Sequence, residues 1–345
     1  MFRPFAAMSA ALMLTACAPQ GSLGVAEIGS YHVGGRQAVL SGMPTREIVF
    51  TPGAPPFKVD PNGEFEVEQM YAQFVKLAEP KARVPMVMWH GGGLSGVTWE
   101  TKPDGGAGWQ MYFLRQGWDV TVTDAVERGR ASWARYPEIF TTEPFFRAKK
   151  EAWELFRIGS VGSWKGSVAA SEALPGAQFP TAGFDQFMKQ GIPRWATNDA
   201  ATQRAYDAFV QKACPCVIVV HSQGGNFAFT AALNAPDKIK AIVAVEPSGA
   251  PNPANVEAAK LAALKGVPHL FVWGDNLDAH PLWRQIVPNM ARWRDAVAGA
   301  GADVSWVSLP DRGLKGNSHM LMMDRNSDAV AALVQEWLTS KGLMK

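Results

Sequence analysis

Val217-Ile218-Val219-Val220-His221-Ser222-Gln223-Gly224-Gly225 runs from an unbroken apolar stretch straight into a glycine-rich turn, and Phe227–Asn234 continues as a helical pattern closed by Pro236. A short apolar run bounded by turn formers fits a strand buried on both faces. Where such a strand turns sharply into a helix, the residue at the corner stands above the sheet edge with its side chain exposed. Here that residue is Ser222, and Gly224 and Gly225 supply the small neighbours that let helix and strand pack closely. The usual corner pentapeptide is G-x-S-x-G. Val220 occupies its first place in this chain, so the flanking strand and helix carry the reading more than the bare pattern does.

Further short apolar runs lie on either side: Val84–Trp89, Val120–Thr123, Ile239–Val245, His269–Trp273 and Val304–Leu309. Between several of them fall amphipathic stretches, Asp199–Lys212, Arg284–Ala298 and Ala329–Leu338. Strand and helix in alternation predict an α/β fold with a mostly parallel sheet covered on both sides. Before Lys81 the rhythm differs. Residues 18–60 read as a loop-rich lead-in with a hairpin around Gly34-Gly35, and Arg46–Thr51 and Phe65–Leu77 read as early strands. The main domain is then 61–345.

One interval is too long for a simple crossover. About ninety residues separate Asp124 from Cys216, whereas structureless loops beyond about 15 residues are uncommon in compact domains. The stretch carries Trp133, Phe145, Phe146, Trp153, Phe156, Trp164, Phe184, Phe187 and Trp195, too aromatic for a disordered linker. We read about 133–200 as a cap inserted over the corner serine.

The chain has 345 residues, 47% of them hydrophobic and 19% charged, which suits a globular protein with a large core. Its formal net charge of +2 provides no field that would favour nucleic acid or acidic membranes. At the N-terminus Arg3 precedes a short apolar stretch ending in Leu14-Thr15-Ala16-Cys17, the layout of an export signal. A cut directly before a cysteine resembles the lipobox of bacterial lipoproteins, so 1–17 is expected to be a signal peptide with Cys17 as the lipidation site. The expected location is the periplasm or cell envelope, with the lipid anchor as the sole membrane contact. Of the remaining cysteines, Cys214 and Cys216 read as small buried hydrophobes, because a disulfide across Cys-Pro-Cys would close a very small ring. No residues are spaced to complete a metal site, and no cofactor is expected.

His90-Gly91-Gly92-Gly93 directly follows the run Val84–Trp89. Glycines there can present backbone N–H groups with no side chain in the way. With the N–H after the serine they could stabilise an oxyanion, so Gly92 and Gln223 are the candidate donors, with Gly91 and Gly93 shaping the turn. A phosphate cradle fits less well, since the Lys-Ser/Thr ending of a P-loop is missing.

A serine at such a corner needs a base. His90 and His221 belong to the two motifs, His32 comes early, and His269 enters a strand. His280 is a fallback in a loop. His319 follows the last strand through a polar loop, Pro310–Ser318, and is the candidate base. The acid behind it stays open between Glu246 and Asp275, which end successive strands.

Several segments together resemble a group of exported bacterial α/β-hydrolase esterases. They are His90-Gly91 with Leu94-Ser95-Gly96-Val97-Thr98-Trp99-Glu100, Pro103-Asp104-Gly105, Gly108-Trp109, Glu127-Arg128-Gly129-Arg130, His221-Ser222-Gln223-Gly224-Gly225 and Glu246-Pro247-Ser248-Gly249. The resemblance runs from about residue 29 to the C-terminus. It implies the α/β-hydrolase fold, a small-molecule ester as substrate, and a Ser–Glu–His triad falling on Ser222, Glu246 and His319, with Asp275 as the alternative acid. The same triad could serve a lactone, amide or thioester, and a silent lipoprotein could keep the fold for binding alone.

Overall fold

The structure, a computed structural model, describes residues 21–345; Cys17 and the expected signal peptide lie outside them. Among the described residues there are ten strands and eight α-helices, and the two alternate from Cys216 onward. The strands are β1 (Val25–Leu40), β2 (Arg46–Ile48), β3 (Phe57–Val59), β4 (Gly63–Leu77), β5 (Met86–Trp89), β6 (Val120–Asp124), β7 (Cys216–His221), β8 (Ile239–Val245), β9 (His269–Trp273) and β10 (Val304–Ser308). The helices are α1 (Trp109–Gln116), α2 (Lys149–Leu155), α3 (Phe184–Met188), α4 (Asp199–Ala213), α5 (Gly224–Asn234), α6 (Ala258–Ala263), α7 (Pro281–Gly299) and α8 (Ser327–Ser340).

Eight strands form one sheet in the order β1-β4-β6-β5-β7-β8-β9-β10, while β2 and β3 pair separately. From β6 to β10 all neighbours are parallel; β4 and β1 extend the sheet antiparallel. The continuous apolar runs have a simple cause, since successive side chains on a strand face opposite ways. Met86, Met88, Val217, Val219, Val243 and Val245 join one buried cluster. Val87, Trp89, Ile218, Val220, Ile242 and Ala244 join the other. A central strand sandwiched between two cores has no parity on which water is met.

The lead-in departs from expectation. Gly34 and Gly35 turn no hairpin but sit within the 16-residue β1, which pairs along its length with β4. Both have positive φ, and a β-carbon on Gly34 would lie 2.9 Å from Ala205 Cα of α4. Gly34 lets the helix approach the strand, and Gly35 lies as closely on β4, where a β-carbon would be 3.0 Å from Val67 O; local sequence cannot distinguish either use from a turn. Cys214 and Cys216 are a second correction. They are joined in a disulfide with Cα atoms 4.5 Å apart at the junction of α4 and β7, rather than standing as separate thiols.

Between β6 and β7 the inserted residues hold α2, α3 and long ordered loops before α4. Their aromatics divide. Trp153, Phe156, Phe184 and Phe187 are buried against one another, whereas Trp133, Phe145 and Phe146 are exposed. Among the described residues no helix is long and apolar enough to cross a membrane.

Candidate active site

The strands β5 to β9 deliver their following residues to one sheet edge, where open α/β sheets collect functional groups. After β7 the backbone reverses at Ser222, whose φ is 53°, and α5 begins at Gly224. Three bonds fix this corner: Ser222 N–H donates to Val245 O at 3.1 Å, and Ser222 O accepts from Gly225 N–H at 3.0 Å and Ser248 N–H at 3.0 Å. Ser222 Oγ lies 3.5 Å from Ser248 Oγ, too long a contact to hold the hydroxyl in one direction.

Glu246 follows β8 and is fully buried, also at positive φ (46°). Its Oε2 lies 2.8 Å from His319 Nδ1, and its Oε1 accepts from Gly274 N–H at 2.7 Å and from an Arg157 Nη at 2.5 Å. Burial alone would raise the carboxyl's proton affinity, but the Arg157 charge and the His319 bond outweigh it and hold Glu246 below the usual carboxylate range. His319 is lowered, because burial disfavours the imidazolium more than Glu246 favours it. A neutral ring with Nδ1 on a carboxylate leaves Nε2 as the acceptor for a proton.

His319 is held on all sides. Its N–H donates to Phe156 O at 2.8 Å, and its carbonyl accepts from His221 Nε2 at 3.0 Å. Its ring centroid lies 4.4 Å from those of His221 and Trp283 and 5.3 Å from that of Phe156. His221 immediately precedes Ser222, so this packing brings the imidazole to the residue next to the corner; among the described residues no hydrogen bond joins His319 to Ser222, whose hydroxyl meets Ser248 instead. Ser318 N–H and Oγ both donate to buried Asp324, whose carboxyl burial pushes up to about 7.

Asp275 plays a different part. Its Oδ2 accepts from Gly316 N–H at 2.5 Å, its own N–H donates to Asn317 O at 3.1 Å, and its carbonyl accepts from Arg157 Nε at 2.7 Å. It braces the loop carrying His319, while Glu246 meets the ring. Arg157 was not singled out by sequence reasoning. Its side chain is wholly buried and lies 4.8 Å from the Trp283 ring centroid. The available signal was a charged residue between Phe156 and Ile158, within an apolar run.

The glycine loop lies against the corner. A β-carbon on Gly91 would fall 2.9 Å from Ser222 Cβ and 2.7 Å from His221 Nδ1, and one on Gly92 would fall 2.9 Å from Gln223 Oε1. Among the described residues neither the Gly92 nor the Gln223 N–H has an intramolecular acceptor. His90 supports the loop. Its Nδ1 is 2.8 Å from Gly91 O and its Nε2 accepts from Ala125 N–H at 3.0 Å; burial lowers its pKa to about 4. His280 caps α7 instead, accepting from Leu282 N–H at 3.2 Å, and His269 is buried in β9. Glu127 ties the insertion to the sheet, accepting from Trp195 N–H at 3.0 Å and Asn198 Nδ2 at 2.6 Å. The described residues contain no cluster of His, Cys, Asp or Glu able to hold a metal ion.

A corner serine, a buried histidine–carboxylate pair and a glycine loop on one edge of a mostly parallel sheet define the α/β-hydrolase class. A family model described as alpha/beta hydrolase fold matches residues 213–301, from the end of α4 through α7. A solved structure of a novel bacterial esterase is 31% identical, covers 94% of this chain and 98% of its own, and superposes with a TM-score of 0.78. A probable secreted lipase, phiG, of a fungal species (strain ATCC 74256) is 24% identical over 334 residues, covering 80% of this chain and 87% of its own. The chain belongs to the α/β-hydrolase family. Within it, the chain is a carboxylic ester hydrolase.

Proposed function

We propose that the protein cleaves small-molecule carboxylic esters through an acyl-enzyme, with Ser222 as nucleophile, His319 as general base and acid, Glu246 as the acid behind it, and the Gly92 and Gln223 N–H groups as oxyanion donors. The observation that carries the reading is the 2.8 Å contact between His319 Nδ1 and Glu246 Oε2, beside a serine at a positive-φ corner. His319 Nε2 takes the proton of Ser222 as Oγ bonds to the ester carbonyl carbon, and the carbonyl electrons move onto oxygen facing the two N–H groups. The carbon–oxygen bond to the alcohol then breaks, and the same nitrogen returns the proton to the leaving alkoxide. Water repeats the sequence, releasing the acid and restoring Ser222. Throughout, Glu246 keeps the imidazole in the productive tautomer and stabilises its charged form.

The test is a panel of alkyl and aryl esters of graded acyl length, with Ser222→Ala alongside. Activity in the variant is expected to fall by roughly four to six orders of magnitude, because such a triad acts as one unit. A fluorophosphonate should label the wild type alone. Equal turnover, or labelling that survives the substitution, would end the reading.

We further propose export and lipidation at Cys17, supported by the signal layout and by a relative described as secreted. Radiolabelled palmitate should enter the wild type and not Cys17→Ala; incorporation into both would remove the anchor.

A further inference from the structure

The three glycines of the oxyanion loop each face a different functional group. Gly91 faces Ser222, and Gly92 faces Gln223 on one side and an Arg194 Nη on the other, 3.7 Å from where a β-carbon would sit. Gly93 faces Arg147, whose Nε would be 3.8 Å from such a carbon. Two guanidinium groups from the insertion therefore flank the loop proposed to hold the reacting carbonyl. Arg147 sits 5.3 Å from the ring centroid of Phe156, which itself packs on His319.

Neither guanidinium is fully satisfied by the protein. Arg147 pairs with Glu151, and Arg194 reaches Asp199 at 3.2 Å, but both acidic side chains face water, at 40% and 49% exposure. The Nε atoms of Arg147 and Arg194 are buried and, among the described residues, have no acceptor. Burial disfavours the charged form of Arg147, the Glu151 charge opposes that, and the neighbouring Arg194 charge adds to it. Behind them Arg128 is 4% exposed, touches Glu127 at only 3.4 Å, and leaves Nε and Nη1 without acceptors. The Arg147 and Arg194 side chains are themselves 20% and 28% exposed, so an anion can reach the open edges of the guanidinium groups, while the shielded Nε atoms stay without acceptors.

We propose that Arg147 and Arg194 form an anion subsite, and that the ester hydrolysed carries a carboxylate a few carbons from its scissile carbonyl. This rests on the esterase reading and names its substrate class: a monoester of a dicarboxylic acid, or an ester whose alcohol bears the carboxylate. Guanidinium groups suit the task because their fork of donors matches the two oxygens of a carboxylate.

The experiment compares kcat/KM on charged and neutral substrates of matched shape. Monoethyl glutarate against ethyl pentanoate places the charge on the acyl side, and butanoyloxyacetate against ethyl butanoate places it on the alcohol side. Wild type should favour the anionic member of one pair. In Arg147→Leu and Arg194→Leu that anionic-to-neutral ratio should fall about tenfold to a hundredfold, with Arg147→Lys between. The ratio cancels any loss of folded enzyme, and a merely structural role for either arginine would slow both members alike. Unchanged ratios in both pairs would overturn the subsite while leaving the esterase intact. Calorimetry with glutarate supplies a readout independent of turnover. Its Kd should rise at least about tenfold in Arg194→Leu, and equal binding by both proteins would refute the proposal. If no ester is cleaved but glutarate binding still depends on Arg194, the esterase reading fails and the subsite stands.

Discussion

Replacing Arg157 with methionine keeps most of the side-chain volume and removes the charge behind Glu246. Arg157 is wholly buried, and it donates to Glu246 Oε1 at 2.5 Å and to Asp275 O at 2.7 Å. Removing one partner of a buried ion pair costs about 3–5 kcal/mol, because the other charge stays behind without compensation. Whole domains are stable by only about 5–15 kcal/mol, so the variant should fold but melt well below wild type. The proton equilibria give the sharper signature. Glu246 is held ionised against burial first by the Arg157 charge, and Arg157 also disfavours protonation of His319. Loss of the guanidinium therefore raises both proton affinities, each unit corresponding to about 1.4 kcal/mol. Glu246 has a depressed folded pKa, so its contribution is present above the unfolded value and lost as pH falls through the folded one. Removing Arg157 moves that loss to higher pH. The acid limb of kcat/KM should shift upward by about one to two units, with a rate deficit of roughly tenfold to a hundredfold below the wild-type midpoint that shrinks as pH rises. Arg157→Lys restores a charge and should return the limb most of the way. The assay is a pH profile of kcat/KM with circular-dichroism melts at each pH. A limb that stays in place, with the rate falling only in proportion to the folded fraction, would refute the assignment of Arg157 as a positioning residue for Glu246.

Glu246→Gln should cost about four orders of magnitude in kcat by removing the charge behind His319, whereas Asp275→Asn should stay within about tenfold. A larger loss at Asp275 in steady-state kinetics would reverse the two roles. Gly91→Ala presses a β-carbon against Ser222 Cβ and His221 Nδ1, and we expect a fall of about a hundredfold or more in kcat. Gly92→Ala meets the movable end of Gln223 and should cost much less; equal losses would contradict this ordering. Because burial lowers the His319 pKa, the base should stay neutral below the ordinary histidine range, and activity should fall only as pH drops through that depressed value. An acid-limb midpoint above 6.5, the ordinary histidine value, would count against this. Ser222→Gly should be more stable than Ser222→Ala by up to about 1 kcal/mol in denaturant unfolding, since glycine has no β-carbon to oppose the positive φ.

Those parts of the architecture that depend on local pattern were legible in the sequence. The run Val217–Val220 reads as a strand because both faces are buried, and the turn into α5 is written in Gly224 and Gly225. Residues whose role depends on distant partners were not. Glu246 and Asp275 both end strands at the same edge, and nothing local says which one meets a histidine 73 residues beyond the first and 44 (319 − 275) beyond the second. Their division follows from position: Glu246 Oε2 reaches the ring, while the Asp275 side chain is occupied by Gly316. Gly34-Gly35 misleads for the opposite reason. A positive-φ glycine pair serves a hairpin and a close helix crossing equally well, and the deciding contact, Ala205, comes from α4.

The strained backbone positions show where folding and chemistry pull apart. Ser222, Glu246 and Arg157 all have positive φ, at 53°, 46° and 55°; Glu246 and Arg157 are bonded to each other and Glu246 to His319, while Ser222 follows the strand next to the one that Glu246 follows. Each such residue costs about 1–3 kcal/mol and persists only where its surroundings over-determine it. Here they do: Ser222 is tied to Val245, Gly225 and Ser248, and Glu246 N–H donates to Val272 O at 2.9 Å. A relaxed backbone at Ser222 would turn the hydroxyl away from the edge, and one at Glu246 would withdraw the carboxylate from His319. The parallel register of β7, β8 and β9 therefore does two jobs with the same hydrogen bonds. It stabilises the sheet, and it holds two side chains in directions that their own backbones disfavour, so loss of pairing at these strand ends should erode activity before it unfolds the core.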